Sequence, residues 1–91
     1  MSYKLLIHPK AEKDISKIHA VLVKQIFKKI FALQDNPRPH GFKKLVNFES
    51  ERMPGQECYR IRVGDVRVIY TIQDEIITVT VIQVKKRGDI Y

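Results

Sequence analysis

Along the 91-residue chain the spacing of apolar and polar positions changes twice, and each change marks a new kind of element. Residues 3–8, YKLLIH, are a short, mostly apolar run that predicts a strand. Pro9 follows, a residue suited to the first turn of a helix, where its missing N–H costs nothing. Ile15, Ile18, Leu22, Ile26, Ile30 and Leu33 then recur three and four apart, with lysines opposite and Phe27 and Phe31 widening the stripe. One helix of that length is too long for so small a domain, so the pattern predicts a helical hairpin broken near His19-Ala20. Asn36-Pro37-Arg38-Pro39 ends it, because a residue before proline is pushed out of the helical basin.

"HGFKKLVNF", residues 40–48, predicts a short strand, and "ESERMPGQE", residues 49–57, a surface loop with a Pro-Gly turn. From there the period is two. Tyr59, Ile61 and Val63 alternate with Arg60 and Arg62; Val66, Val68, Tyr70 and Ile72 alternate with Arg67, Ile69 and Thr71. Gly64-Asp65 between them fits a two-residue type II′ turn, which pairs Val63 with Val66 and Arg62 with Arg67. "EIITVTVIQV", residues 75–84, is rich in β-branched residues and predicts an interior strand entered by a turn at Gln73-Asp74-Glu75. The expected fold is a single α+β domain over residues 1–91: an N-terminal strand, a helical hairpin, then an antiparallel meander with the helices packed on one face.

That packing puts Arg60, Arg62 and Arg67 on the other, open face. Like charges opposite one another across a strand pair cost roughly 0.2–1 kcal/mol. Three planar guanidinium groups there match phosphate or carboxylate geometry. Lys43, Lys44, Lys85, Lys86 and Arg87 extend the cluster to a basic groove if they neighbour it. The whole-chain charge agrees: 17 Lys and Arg against 10 Asp and Glu give +7, which suits a polyanionic partner.

Other chemistries have weaker footing. Cys58 is the one cysteine and lies in an alternating strand, where it reads as a small hydrophobe. His8, His19 and His40 have no metal-ligand spacing, and His8 and His40 sit at element boundaries beside Pro9 and Gly41. There is no Gly-rich phosphate loop, so the expected chemistry uses no cofactor and no metal. The opening MSYKLLIHPK lacks the apolar run of a signal peptide, and nothing approaches the ~18 apolar residues of a membrane span. A cytoplasmic protein with no membrane partner is the expectation.

Three motifs in order, "NPRPHGFKKL", "YRIRVGDVRVIYTI" and "VIQVKKRGDIY", resemble the RelE/ParE superfamily of toxin–antitoxin toxins, closely over residues 36–91. The resemblance implies a RelE-type mRNA interferase: a metal-free endoribonuclease that cleaves mRNA in the ribosomal A site by attack of the ribose 2′-oxygen on the adjacent phosphate. Arg67 matches the arginine on the scissile phosphate, Arg87 the C-terminal arginine, and Tyr91 the tyrosine that orients or activates the attacking group. Arg60 and Arg62 stand where better-known members carry lysines, and Lys86 and Gly88 replace a His and an Arg of the terminal motif. Arginine stays charged, so Arg60 and Arg62 are suited to electrostatic stabilisation and poorly suited to proton transfer. The implied partners are a RelB-like antitoxin in a hetero-oligomer, the ribosome and mRNA, with operator DNA reached through the antitoxin. The alternatives are a ParE-like toxin that inhibits DNA gyrase by binding, and a weakly or non-catalytic homologue acting through its antitoxin complex.

Overall fold

The structure is a computed structural model and describes residues 2–86. Strand β1 (Lys4–Ile7) leads into helix α1 (Pro9–Ser16) and helix α2 (Ala20–Ala32). Strand β2 (Lys43–Lys44), β3 (Cys58–Val63), β4 (Val66–Gln73), a 3-10 turn (Asp74–Ile76) and β5 (Thr78–Lys86) complete it. The sheet order is β1-β5-β4-β3-β2, with β1 parallel to β5 and every other pairing antiparallel. Among the described residues no helix is long and apolar enough to cross a membrane.

The helical hairpin forms as the apolar spacing predicts, and histidines punctuate it. His8 caps α1, its Nδ1 accepting the Lys10 N–H at 3.0 Å, with Pro9 in the first turn. His19 caps α2 in the same way, Nδ1 accepting from Val21 N–H at 3.3 Å. Each imidazole thus satisfies one of the amides that a helix start leaves without a partner. This second cap is what splits the stripe, and no Gly or Pro is needed there.

Ile15, Ile26, Ile30 and Leu33 are buried against Ile61, Val63, Val66, Val68, Tyr70, Val79, Val81 and Val84. Tyr70 is fully buried, and its hydroxyl donates to the Pro37 carbonyl at 2.7 Å. The opposite face of the sheet carries a second, smaller core. Cys58, Ile69 and Ile82 are buried there, with Leu45, Phe48 and Met53 packed over them. The segment between β2 and β3 is therefore a cover over part of that face. The strand expected over residues 40–48 is reduced to Lys43–Lys44, because the chain beyond turns across the sheet instead of running along it.

Arg52 and Asp14 fasten this cover. The Arg52 guanidinium bridges to the Asp14 carboxylate at 2.6 Å and donates to the Ile82 carbonyl at 2.8 Å. Asp14 in turn accepts the Val84 N–H at 3.1 Å. β1 pairs with β5 only as far as Val81, so these side chains occupy backbone groups that the sheet edge would leave open.

Candidate functional site

The hairpin of β3 and β4 has the register its sequence predicts: Val63 pairs with Val66 and Arg62 with Arg67. Gly64 has φ +58° while Asp65 is not in the left-handed region, the pattern of a type II′ turn. Arg62 and Arg67 are thus directly opposed on one face, Arg62 exposed and Arg67 half-buried. With Gly64, Asp65 and Val66 they line a cleft of about 140 Å³.

Cross-strand pairing extends the row in both directions. Lys43 pairs with Arg60, and Lys85 pairs with Arg67, so Lys43, Arg60, Arg62, Arg67 and Lys85 share one face. Lys85 reaches that face through a β-bulge. Ile69 pairs with Gln83 and Tyr70 with Val81, which leaves Ile82 as the extra residue and reverses the facing of everything after it. The sequence carries the signal, because apolar alternation Val79-Thr80-Val81 slips phase at Ile82-Gln83-Val84.

Two expectations need correction. Arg60 does not stand on an open face: it is 9% exposed, beside the covering segment and opposite the buried Ile69. Nor do all four lysines join the groove. Lys44 pairs with Tyr59 on the helix-bearing face and is bridged to Glu57 at 3.0 Å, which raises its pKa and lowers that of Glu57. Lys86 pairs with Val66 and faces the helices. Arg87 and Tyr91 lie outside the described residues.

A second cavity adjoins the cleft, with Arg62 lining both. It measures about 480 Å³ and is lined by Lys29, Ala32 and Leu33 of α2, by Pro39, His40 and Gly41, and by Lys43, Arg60, Ile61 and Arg62. It opens where β2 stops short, since β2 covers only Tyr59 and Arg60 of β3. Sequence reasoning missed this wall because residues 36–42 have no periodicity. Their order comes from local bonds: Asn36 Oδ1 accepts the Arg38 N–H at 3.1 Å, and Phe42 N–H donates to the Pro39 carbonyl at 3.0 Å. Gly41, φ +90°, gives that last turn the type II form with His40 at its corner.

At the far end of the sheet the charges are matched. Arg38 bridges to Asp74 at 2.7 Å, and the Tyr3 hydroxyl donates to the same carboxylate at 2.6 Å. The Arg38 guanidinium, with the Tyr3 hydroxyl, holds the Asp74 carboxyl below its ordinary range. Asp74 in turn raises the Tyr3 phenol. Cys58 is buried, and burial pushes its thiol up, as expected of a packing residue.

Comparison with known proteins fits this geometry. The model of the ParE toxin of the type II toxin–antitoxin system, parDE, matches residues 5–91. No curated protein sequence is similar enough to count as a relative. Among solved structures, the archaeal RelE–RelB complex from Pyrococcus horikoshii OT3 superposes with TM-score 0.78 at 26% identity, covering 97% of this chain and 98% of that one. The intact RelBE toxin–antitoxin complex of E. coli gives TM-score 0.73 at 28% identity, covering 93% and 96%. A RelBE-type toxin–antitoxin complex from Mycobacterium tuberculosis gives 0.75 at 25%, covering 96% and 100%. With an α+β fold of two helices on a five-stranded, mostly antiparallel sheet and a family match over nearly all its length, this chain belongs to the ParE toxin family of type II toxin–antitoxin systems, within the RelE/ParE superfamily.

Proposed function

We propose that this toxin is a ribosome-dependent endoribonuclease that cleaves mRNA by attack of a ribose 2′-hydroxyl on the adjacent phosphate. The observation that carries the reading is Arg62 directly opposite Arg67 at a cleft, in a row with Lys43, Arg60 and Lys85. Like charges opposite one another are unfavourable by themselves, so the pair brings two guanidinium groups to one cleft at a small cost. A phosphodiester suits such a pair. Guanidinium groups bind its non-bridging oxygens in bidentate fashion, and gain most as a second negative charge develops in the pentacoordinate transition state. In this scheme the arginines supply the positive charge that a metal supplies in other nucleases.

Arg67 and Arg62 contact the scissile phosphate, Arg60 supports them from its buried position, and Lys43 and Lys85 hold flanking phosphates. Arg87 and Tyr91 complete the site as the family resemblance implies. A 91-residue domain has little surface to position a single RNA strand, so a large RNA scaffold supplies the rest. The toxin is held in check by an antitoxin, as the RelE–RelB neighbours suggest, and its +7 charge suits such a partner.

Membership of the ParE family favours a second reading, inhibition of DNA gyrase by binding. One experiment separates the two. Purified protein is added to a translating extract and mRNA ends are mapped by primer extension, with Arg67→Ala alongside. Codon-spaced cleavage that disappears in the variant is expected; intact mRNA together with gyrase-dependent DNA breaks would establish the second reading instead.

A further inference from the structure

From the cavity beside the arginine cleft we infer that His40 is a catalytic residue, the base that takes the proton from the attacking 2′-hydroxyl. The inference rests on the RNA-cleavage reading above and adds a proton acceptor to it, beside Tyr91, to which the family resemblance gives an orienting or activating role. Transesterification forms the O2′–P bond and breaks the P–O5′ bond. The 2′-hydroxyl proton must leave and the 5′-oxygen must gain one. Arg60, Arg62 and Arg67 keep their protons throughout, so they stabilise charge without moving it.

His40 lines the larger cavity together with Arg60 and Arg62, and Arg62 is the wall shared with the Arg62–Arg67 cleft. Arg62 therefore borders both the cleft and the cavity that His40 lines. The charged groups around that cavity are Lys29 from α2, Lys43 from β2, and Arg60 and Arg62 from β3; Asp65 lies across the cleft. Histidine is the one side-chain type in that set whose ordinary range lets it exchange a proton near neutral pH. A carboxylate such as Asp65 is a weaker base, and the lysine ammonium and arginine guanidinium are donors only.

The backbone that carries His40 is held in place. His40 is the second residue of the Pro39–Phe42 type II turn, closed by the Phe42-to-Pro39 bond of 3.0 Å. Upstream, the Pro37 carbonyl accepts from the buried Tyr70 hydroxyl at 2.7 Å, and Arg38 is bridged to Asp74 at 2.7 Å. An exposed histidine on a turn fixed at three successive points is a presented group, and its own side chain is not part of either core. In the step, neutral His40 accepts the 2′ proton as O2′ bonds to phosphorus, the 5′-oxygen leaves and is protonated by water, and the imidazolium returns its proton to solvent.

The test is the pH profile of single-turnover mRNA cleavage in a translating extract, for wild type, His40→Gln, His40→Ala and Asp65→Asn. His40 is exposed and any residue fits its turn position, so thermal melts of the His40 variants should match wild type. His40→Gln and His40→Ala are expected to lose about 10²–10⁴-fold in rate, the contribution of a general base, and to lose the fall in rate on the acid side of the wild-type profile. Asp65→Asn should keep that acid limb. Wild-type activity with unchanged rate in His40→Gln, or a lower rate with the acid limb intact, would overturn the role of His40 and leave the cleavage reading standing. Transfer of the limb to Asp65 would overturn it equally. No cleavage by wild type would overturn both readings together.

Discussion

The two ends of the sheet treat arginine in opposite ways. At one end Arg38 is bridged to Asp74 at 2.7 Å, with the Tyr3 hydroxyl on the same carboxylate. At the other, Arg62 is opposed by Arg67, and pairing adds Lys85 and Arg60 to the same face. One arrangement lowers the energy of the fold by itself. In the other, the direct opposition of Arg62 and Arg67 is by itself slightly unfavourable. The contrast is between an ion pair that closes within the fold and a like-charge pair that the proposed function assigns to an anion.

The largest expected effect breaks the functional end. Arg67→Ala should lower mRNA cleavage by about 10²–10³-fold, the scale of removing one preorganised transition-state donor, with the chain still folded by circular dichroism. Next is the support of the far end. Tyr70→Phe leaves the Pro37 carbonyl without its buried hydrogen bond and should cost about 1–3 kcal/mol in urea denaturation, loosening the residue 36–42 segment as well.

How much of this was legible in the sequence depends on whether periodicity carried it. Alternation on both sides of Gly64-Asp65 points to the Arg62–Arg67 register, but a bulge at that turn would shift it, and it is the structure that fixes the pairing. The helix break was placed near His19, although the reason, an imidazole cap, is chemistry that spacing does not reveal. Alternation alone puts Arg60 on an open face; its burial comes with residues 45–57, which pack Leu45, Phe48 and Met53 over the sheet with no repeating pattern. Lys85 and Lys86 look alike in the sequence, and what separates them is the bulge at Ile82, which spacing shows only as a slip in alternation.

That bulge gives a finer test of the functional face. Lys85→Gln should weaken binding to single-stranded RNA uniformly across sequences and reduce the salt slope by about 1, whereas Lys86→Gln, on the helix side, should change it less. Equal effects would mean that facing does not decide which cations meet RNA.

The clamp predicts a pH dependence at the structural end. The Asp74 carboxyl is held below its ordinary value of 3.8, so the stability it contributes is complete above that value and is lost as pH falls through its depressed value. The Tyr3 phenol is raised above 10.0, so its contribution is present below that and is lost as pH rises through its raised value. Asp74→Asn should flatten both limbs of a stability–pH curve measured by chemical denaturation. Asp74 and its partner Arg38 are exposed, so the effect is the smallest of the set.

The central claim is that Arg62, set directly opposite Arg67, serves an anion more than it serves the fold. Chemical denaturation of wild type and Arg62→Ala, each with and without a saturating single-stranded RNA oligonucleotide, tests it directly. Without RNA, Arg62→Ala should be as stable as wild type or more stable by about 0.2–1 kcal/mol, through relief of the cross-strand repulsion. With RNA the order should reverse, because the ligand stabilises the state it binds and wild type binds it better. An Arg62→Ala protein that is less stable without RNA, or that gains as much from RNA as wild type, would contradict the account.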